Sequence, residues 1–143
     1  MNEPVSIGEY LEKNGTLTYA NVGVSMLPLL RQGRDLFTVR KKGAERCRAG
    51  DVVLYRREGA PYVLHRIVRV RERDYVILGD NCVSYEIVPE EDVLGVMTGF
   101  VRDGREHSVD EPLYRAYDAL WRHAAPLRIF LKRSAHSLRQ RIR

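Results

Sequence analysis

The apolar positions change their period once along this chain. Between residues 17 and 101 they fall in short runs rich in Val, Ile, Leu and Tyr, with Gly, Asp, Asn and Pro between them. The runs are Leu17 to Val24, Leu36 to Arg40, Asp51 to Arg56, Tyr62 to Arg71, Asp74 to Leu78 and Val93 to Val101. Apolar runs bounded by turn formers predict strands. Tyr62 to Arg71 alternates, with Val63, His65 and Ile67 on one face and Leu64, Arg66 and Val68 on the other. Arg71-Glu72-Arg73-Asp74 predicts the turn of a hairpin into Tyr75 to Leu78. Upstream, Ser6 and Glu9 have capping-box spacing and Gly15 is a stop, which predicts a short helix from Ile7 to Asn14. After Asp110 the period lengthens. Pro112 suits a first helical turn, and Leu113, Tyr117, Leu120, Trp121 and Ala124 recur at helical spacing. Pro126 interrupts, and Leu127, Phe130, Leu131, Leu138 and Ile142 continue an apolar face. One kinked helix or two successive amphipathic helices are expected there.

Strands without intervening helices predict a mainly β fold. The expected form is a coiled antiparallel sheet or partial barrel, with a short N-terminal helix and a C-terminal amphipathic helical tail. The division falls at residues 1–111 for the β domain and 112–143 for the tail. A chain of 143 residues is long enough to bury a real core. No apolar run approaches the roughly 20 residues that span a bilayer, and Met1-Asn2-Glu3-Pro4 lacks the basic start and apolar core of a secretory signal. The expected address is cytoplasmic, peripheral on a membrane at most.

Charge divides the chain at the same place. The net charge is +5, yet residues 112–143 carry eight Lys or Arg against one acid, Asp118, whereas residues 1–111 carry 16 basic and 18 acidic residues. The basic character therefore belongs to the tail. Such a helix can pack on the core, dock on a partner or lie on an anionic membrane surface. Nucleic acid ranks last, because the body is slightly acidic and no reading motif is present. Cys47 and Cys82 form no disulfide framework and have no metal-ligand spacing. Cys82 lies close to Asp80, but a lone loop cysteine is more often incidental.

Three residues carry candidate chemistry. Ser25 follows a strand-like run, with Gly23 allowing close backbone approach and Pro28 holding Leu27 in an extended or turning conformation. A serine so placed can expose its hydroxyl and offer its N–H to an oxyanion. His65 lies within the alternating strand, and an unshifted imidazole, near pH ~6.5, accepts a proton at neutral pH. Asp80, in Gly79-Asp80-Asn81, is good turn chemistry and also a candidate acid to hold His65 in one tautomer. Arg66 points to the opposite strand face. His107, His123 and His136 read as surface residues near or within the tail.

The order of short motifs is more specific than any one of them. Gly23-x-Ser25-Met26-x-Pro28, Gly50-Asp51-Val52-Val53, His65-Arg66-Ile67, Gly79-Asp80-Asn81 and Val93-x-Gly95-Val96 follow one another with reasonable gaps. Together they resemble the signal peptidase I and LexA-like serine peptidase superfamily over residues 23–99. The resemblance implies a mostly β peptidase domain with Ser25 as nucleophile, His65 in the place of the more usual lysine base, and Asp80 as the third member. That pairing is similar to the endoplasmic-reticulum and archaeal type. The same resemblance implies that an extended peptide binds beside the catalytic strands, with Gly23, Met26 and Leu64 as substrate contacts, and that neither metal nor organic cofactor is used.

Three departures stand out. The hydroxyl residue usual two places before the nucleophile is Gly23 here. The further acid of the histidine type has only Glu86 as a counterpart. Neither a spanning helix nor a DNA-binding domain is expected from the pattern of these residues. The expected function is thus a serine endopeptidase acting on a precursor or leader peptide. The alternatives are a non-catalytic relative that binds extended peptides and a LexA-like regulator that cleaves itself.

Overall fold

The computed structural model describes residues 6–58 and 60–142. The first helix, α1 (Ile7–Asn14), starts and stops on the expected residues. The Ser6 side chain accepts from the Glu9 N–H at 3.1 Å, and Gly15, at φ 78°, donates back to the Leu11 carbonyl. A left-handed C-cap of this kind favours glycine.

All six expected runs form strands: β1 (Thr16–Ala20), β2 (Asp35–Lys41), β3 (Val52–Arg57), β4 (Ala60–Val70), β5 (Asp74–Leu78) and, after an unexpected β6 (Glu86–Pro89), β7 (Val93–Arg102). A final short strand, β8 (Arg105–Ser108), was also not anticipated. β6 ends in proline and β8 lacks any apolar residue, so neither has a strand pattern of its own. Each forms by pairing, β6 with β5 and β8 with β7. The β7–β8 turn carried a usable signal in Asp103-Gly104, both at positive φ, a pair that suits a tight hairpin. β1 is shorter than its apolar run because Asn21 to Val24 leave the ladder and begin the loop that holds Ser25.

The strands form one open antiparallel sheet in the order β1-β2-β7-β3-β4-β5-β6, with β8 added on β7. The protein is mainly β, as the pattern predicts. β3 is buried on both faces. Val52 and Leu54 pack with Leu11, Met26, Phe37 and Phe100, whereas Val53 and Tyr55 pack with Ile67, Tyr75 and Ile77. Two apolar layers thus share the middle strands, which is why the β3 run reads as continuous rather than alternating.

Residues 112–142 form one helix, α2 (Pro112–Ile142), with Pro126 inside it. Its first half is stitched to the sheet. Tyr114 joins the Leu11–Phe100 cluster, and Ala125 and Ile129 pack on Leu78. The anchor is polar as well as apolar. Arg66 is almost wholly enclosed and meets Asp80 through two bonds of 2.8 and 2.9 Å, with Asp118, the Tyr114 hydroxyl and the Gly50 carbonyl completing its donors. A guanidinium fork matched to a carboxylate is the geometry in which a buried ion pair is best satisfied.

Candidate active site

The Ser25 loop is held by the turn that follows β5. The Asn81 N–H donates to the Ser25 carbonyl at 2.9 Å, and the Asn81 side chain donates to the Val24 carbonyl at 3.0 Å. Inside the loop, Leu27 N–H bonds Val24 and Leu30 N–H bonds Met26. Gly79-Asp80-Asn81 is therefore a clamp on the loop that carries the candidate nucleophile.

Gly79 makes the clamp possible. A Cβ at this position would lie 2.8 Å from the Ser25 carbonyl oxygen, 3.0 Å from His65 Cδ2 and 2.6 Å from Cys82 Sγ. The Ser25 backbone and the His65 ring thus close on one point that only a residue without a side chain leaves open. Both residues line the same open cavity of ≈ 1220 Å³, whose walls come from Tyr19 to Val22, from Tyr62 to His65 and from Asn81 to Glu86.

His65 sits on β4 opposite Val53 of β3 and is 7 % exposed. Tyr55 pairs with Val63, which makes His65 its diagonal neighbour on the same face. Their polar atoms meet, His65 Nδ1 lying 3.1 Å from the Tyr55 hydroxyl. That hydroxyl donates its single proton to Glu86 at 2.7 Å, so it meets the imidazole as an acceptor. Nδ1 consequently carries the ring proton, and Nε2 keeps its lone pair. Glu86 is itself gripped by Arg57 at 2.9 and 2.5 Å. The Arg57 bonds lower the Glu86 pKa, which keeps that carboxylate ionised as the final acceptor of the chain. Burial raises the Tyr55 phenol and so keeps its proton in place.

Asp80 does not occupy the position expected of it. Its carboxylate faces Arg66 and accepts from the Tyr117 hydroxyl at 2.7 Å, while its carbonyl accepts from Trp121. The Nδ1 contact belongs to Tyr55, and Asp80 acts on the imidazole only through space, raising its proton affinity. Arg66, assigned to the far side of the strand, is the reason. It is buried there and claims the nearest carboxylate.

His65 also departs from an unshifted imidazole. Burial, with Arg57 next, lowers its pKa to about 4, so the ring is neutral at pH 7. Of the three expected substrate contacts, Leu64 lines the cavity. Met26 is 1 % exposed and belongs to the core, where its sulfur accepts from the Asp80 N–H at 3.4 Å. The Gly23 N–H is taken by Gln32 at 2.7 Å. Burial raises the Cys82 thiol, which disfavours a thiolate nucleophile. Tyr55 and Arg57 carry no sequence signal, since only the β3–β4 register sets Tyr55 beside the histidine and only Glu86 of β6 joins Arg57 to it. Among the described residues no cluster of His, Cys, Asp and Glu is arranged to hold a metal ion.

No family model, curated protein or solved structure matches this chain.

Proposed function

We propose that the protein is a serine endopeptidase of the signal peptidase I and LexA-like type, acting on a precursor or leader peptide. The observation that carries this reading is the convergence of the Ser25 loop and the His65 ring on Gly79, at the wall of one open cavity. The motif order from Gly23 to Gly99 supports it.

In this mechanism the Ser25 hydroxyl attacks a peptide carbonyl while its proton passes to His65 Nε2. The Ser25 N–H supports the oxyanion. The tetrahedral intermediate then collapses, the C–N bond breaks and the proton goes to the leaving amine. Water attacks the acyl-enzyme, gives its proton to Nε2, and the carboxylic acid and free serine return. Imidazolium is formed transiently in a site that disfavours it, and the charges of Glu86 and Asp80 offset part of that cost. Asn21, on the cavity wall and almost fully buried, has a side-chain amide nitrogen without a partner among the described residues. A small shift of that side chain would let a substrate carbonyl satisfy it.

An active-site phosphonate tests the reading. Covalent labelling of the wild-type protein that disappears in both Ser25→Ala and His65→Ala is expected. No labelling, with extended peptides still bound, would point instead to a non-catalytic binding module.

A further inference from the structure

The outer face of α2 carries a line of leucines that the sheet does not cover. Leu113, Leu120, Leu127, Leu131 and Leu138 are 56–83 % exposed. At 100° per residue they fall within an arc of about 40°, and they extend about 38 Å along the helix axis. Ala116 and Ala124 border the line, and Phe130, 65 % exposed, lies to one side. The face used to dock on the sheet is a different one, bearing Tyr114, Trp121, Ala125 and Ile129. An exposed apolar stripe of this length is far more than scattered surface leucines.

The charge around the stripe identifies what it meets. Residues 119–143 contain seven Lys or Arg and no Asp or Glu. Arg122 pairs with Asp118. Arg128, Lys132 and Arg133 donate to the backbone carbonyls of Cys82, Asn81 and Val83, which are neutral acceptors, and among the described residues none of the three pairs with a carboxylate. A second copy laid against this face would bring two cationic helices together. An anionic bilayer removes the leucines from water and supplies the counter-charge at once. No helix among the described residues is long and apolar enough to cross a membrane.

We propose that α2 is an in-plane anchor, its leucine line seated in the headgroup boundary of a bilayer rich in anionic lipid. The bonds from Arg128, Lys132 and Arg133 tie the seated helix to the 81–83 segment of the cavity wall. The anchor does not depend on the peptidase reading and can be tested without any measurement of hydrolysis.

The test is co-sedimentation of the full chain with vesicles of phosphatidylcholine alone or mixed with phosphatidylserine, at low and high salt. Binding to the mixed vesicles, weakened by salt and by removal of phosphatidylserine, is expected. Leu127→Ser with Leu131→Ser, at exposed positions, should lower the partition coefficient by at least about tenfold with the circular dichroism spectrum unchanged. Arg139→Gln with Arg141→Gln should lower it on the mixed vesicles alone. Equal partition into both vesicle types, or none into either, would overturn the proposal. So would a lipid-free dimer abolished by the leucine substitutions, since a second copy would then cover the stripe.

Discussion

The ring proton of His65 points at Tyr55. The 3.1 Å contact between Nδ1 and the phenol, with the phenol donating onward to Glu86, sets the tautomer in which Nε2 keeps its lone pair. A carboxylate acting through a phenol replaces the direct aspartate contact suggested by motif order. The imidazole on β4 is therefore oriented by residues from two other strands, Tyr55 on β3 and Glu86 on β6.

Tyr55→Phe removes the acceptor while keeping the ring. The Nδ1–H is then left buried without a partner, costing about 1–3 kcal/mol, and the ring is free to change tautomer. Nitrogen-15 NMR of His65 should show the Nδ1–H form in the wild type and a mixture in the variant. On a peptide reporter, kcat should fall by about 10- to 100-fold with KM little changed. An unaltered tautomer would remove the role given to Tyr55.

Asp80 is expected to act on stability before it acts on rate. Asp80→Ala strands the buried Arg66 guanidinium with only its Asp118 and neutral partners. Breaking a buried pair from one side costs about 3–5 kcal/mol. Urea denaturation should show a loss of that order. A stable Asp80→Ala protein with reduced turnover would instead restore Asp80 to a purely catalytic role.

Protonation of His65 gives a pH dependence with a definite sign. Its pKa is about 4 when folded and near ~6.5 when unfolded, so between these values the unfolded chain binds more protons. Stability must then rise with pH through this window, and it is lost as pH falls from about 6.5 to 4. The contribution is about 3 kcal/mol. The difference in stability between wild type and His65→Gln, followed by urea denaturation from pH 4 to 7, should widen with pH by that amount. The acidic limb of kcat/KM should likewise lie near pH 4; a limb near 6.5 would mean that the ring is better solvated than its burial implies.

Gly79→Ala should separate the Ser25 loop from His65. The new methyl meets a backbone oxygen at 2.8 Å and a ring carbon at 3.0 Å, and neither is the end of a flexible side chain. Overpacking of this kind costs about 1–3 kcal/mol. Cys82→Ala relieves only the sulfur contact, so the double variant should not recover phosphonate labelling. Recovery would show that the thiol alone sets the spacing.

Local pattern was enough for most of the fold. Apolar runs between turn formers, the Ser6 cap, the Gly15 stop and the Pro112 start are each properties of a few neighbouring residues; the caps and the helix start fall on the expected residues, and each run yields a strand, β1 ending early at Ala20. β6 and β8 escaped because their strand character comes from their partners, not from their own side chains. Of the site, Ser25, His65 and Leu64 were visible as residues at a loop or on an alternating strand, and all three reach the cavity.

What the sequence by itself determined was therefore the class of fold, the change of period at Pro112, the segregation of charge into the tail and three of the residues at the cavity. The tertiary structure decided which acid serves which cation. Arg66 and His65 are adjacent in sequence and on opposite faces of β4, and each needs an acceptor, a carboxylate for the guanidinium and any oxygen for the neutral ring. Strand register and the docking of α2 give Asp80 to Arg66, and give His65 a phenol backed by Glu86. Spacing along a chain cannot settle that choice, because hydrogen bonds are set by distances of about 3 Å between groups that in this protein lie up to tens of residues apart.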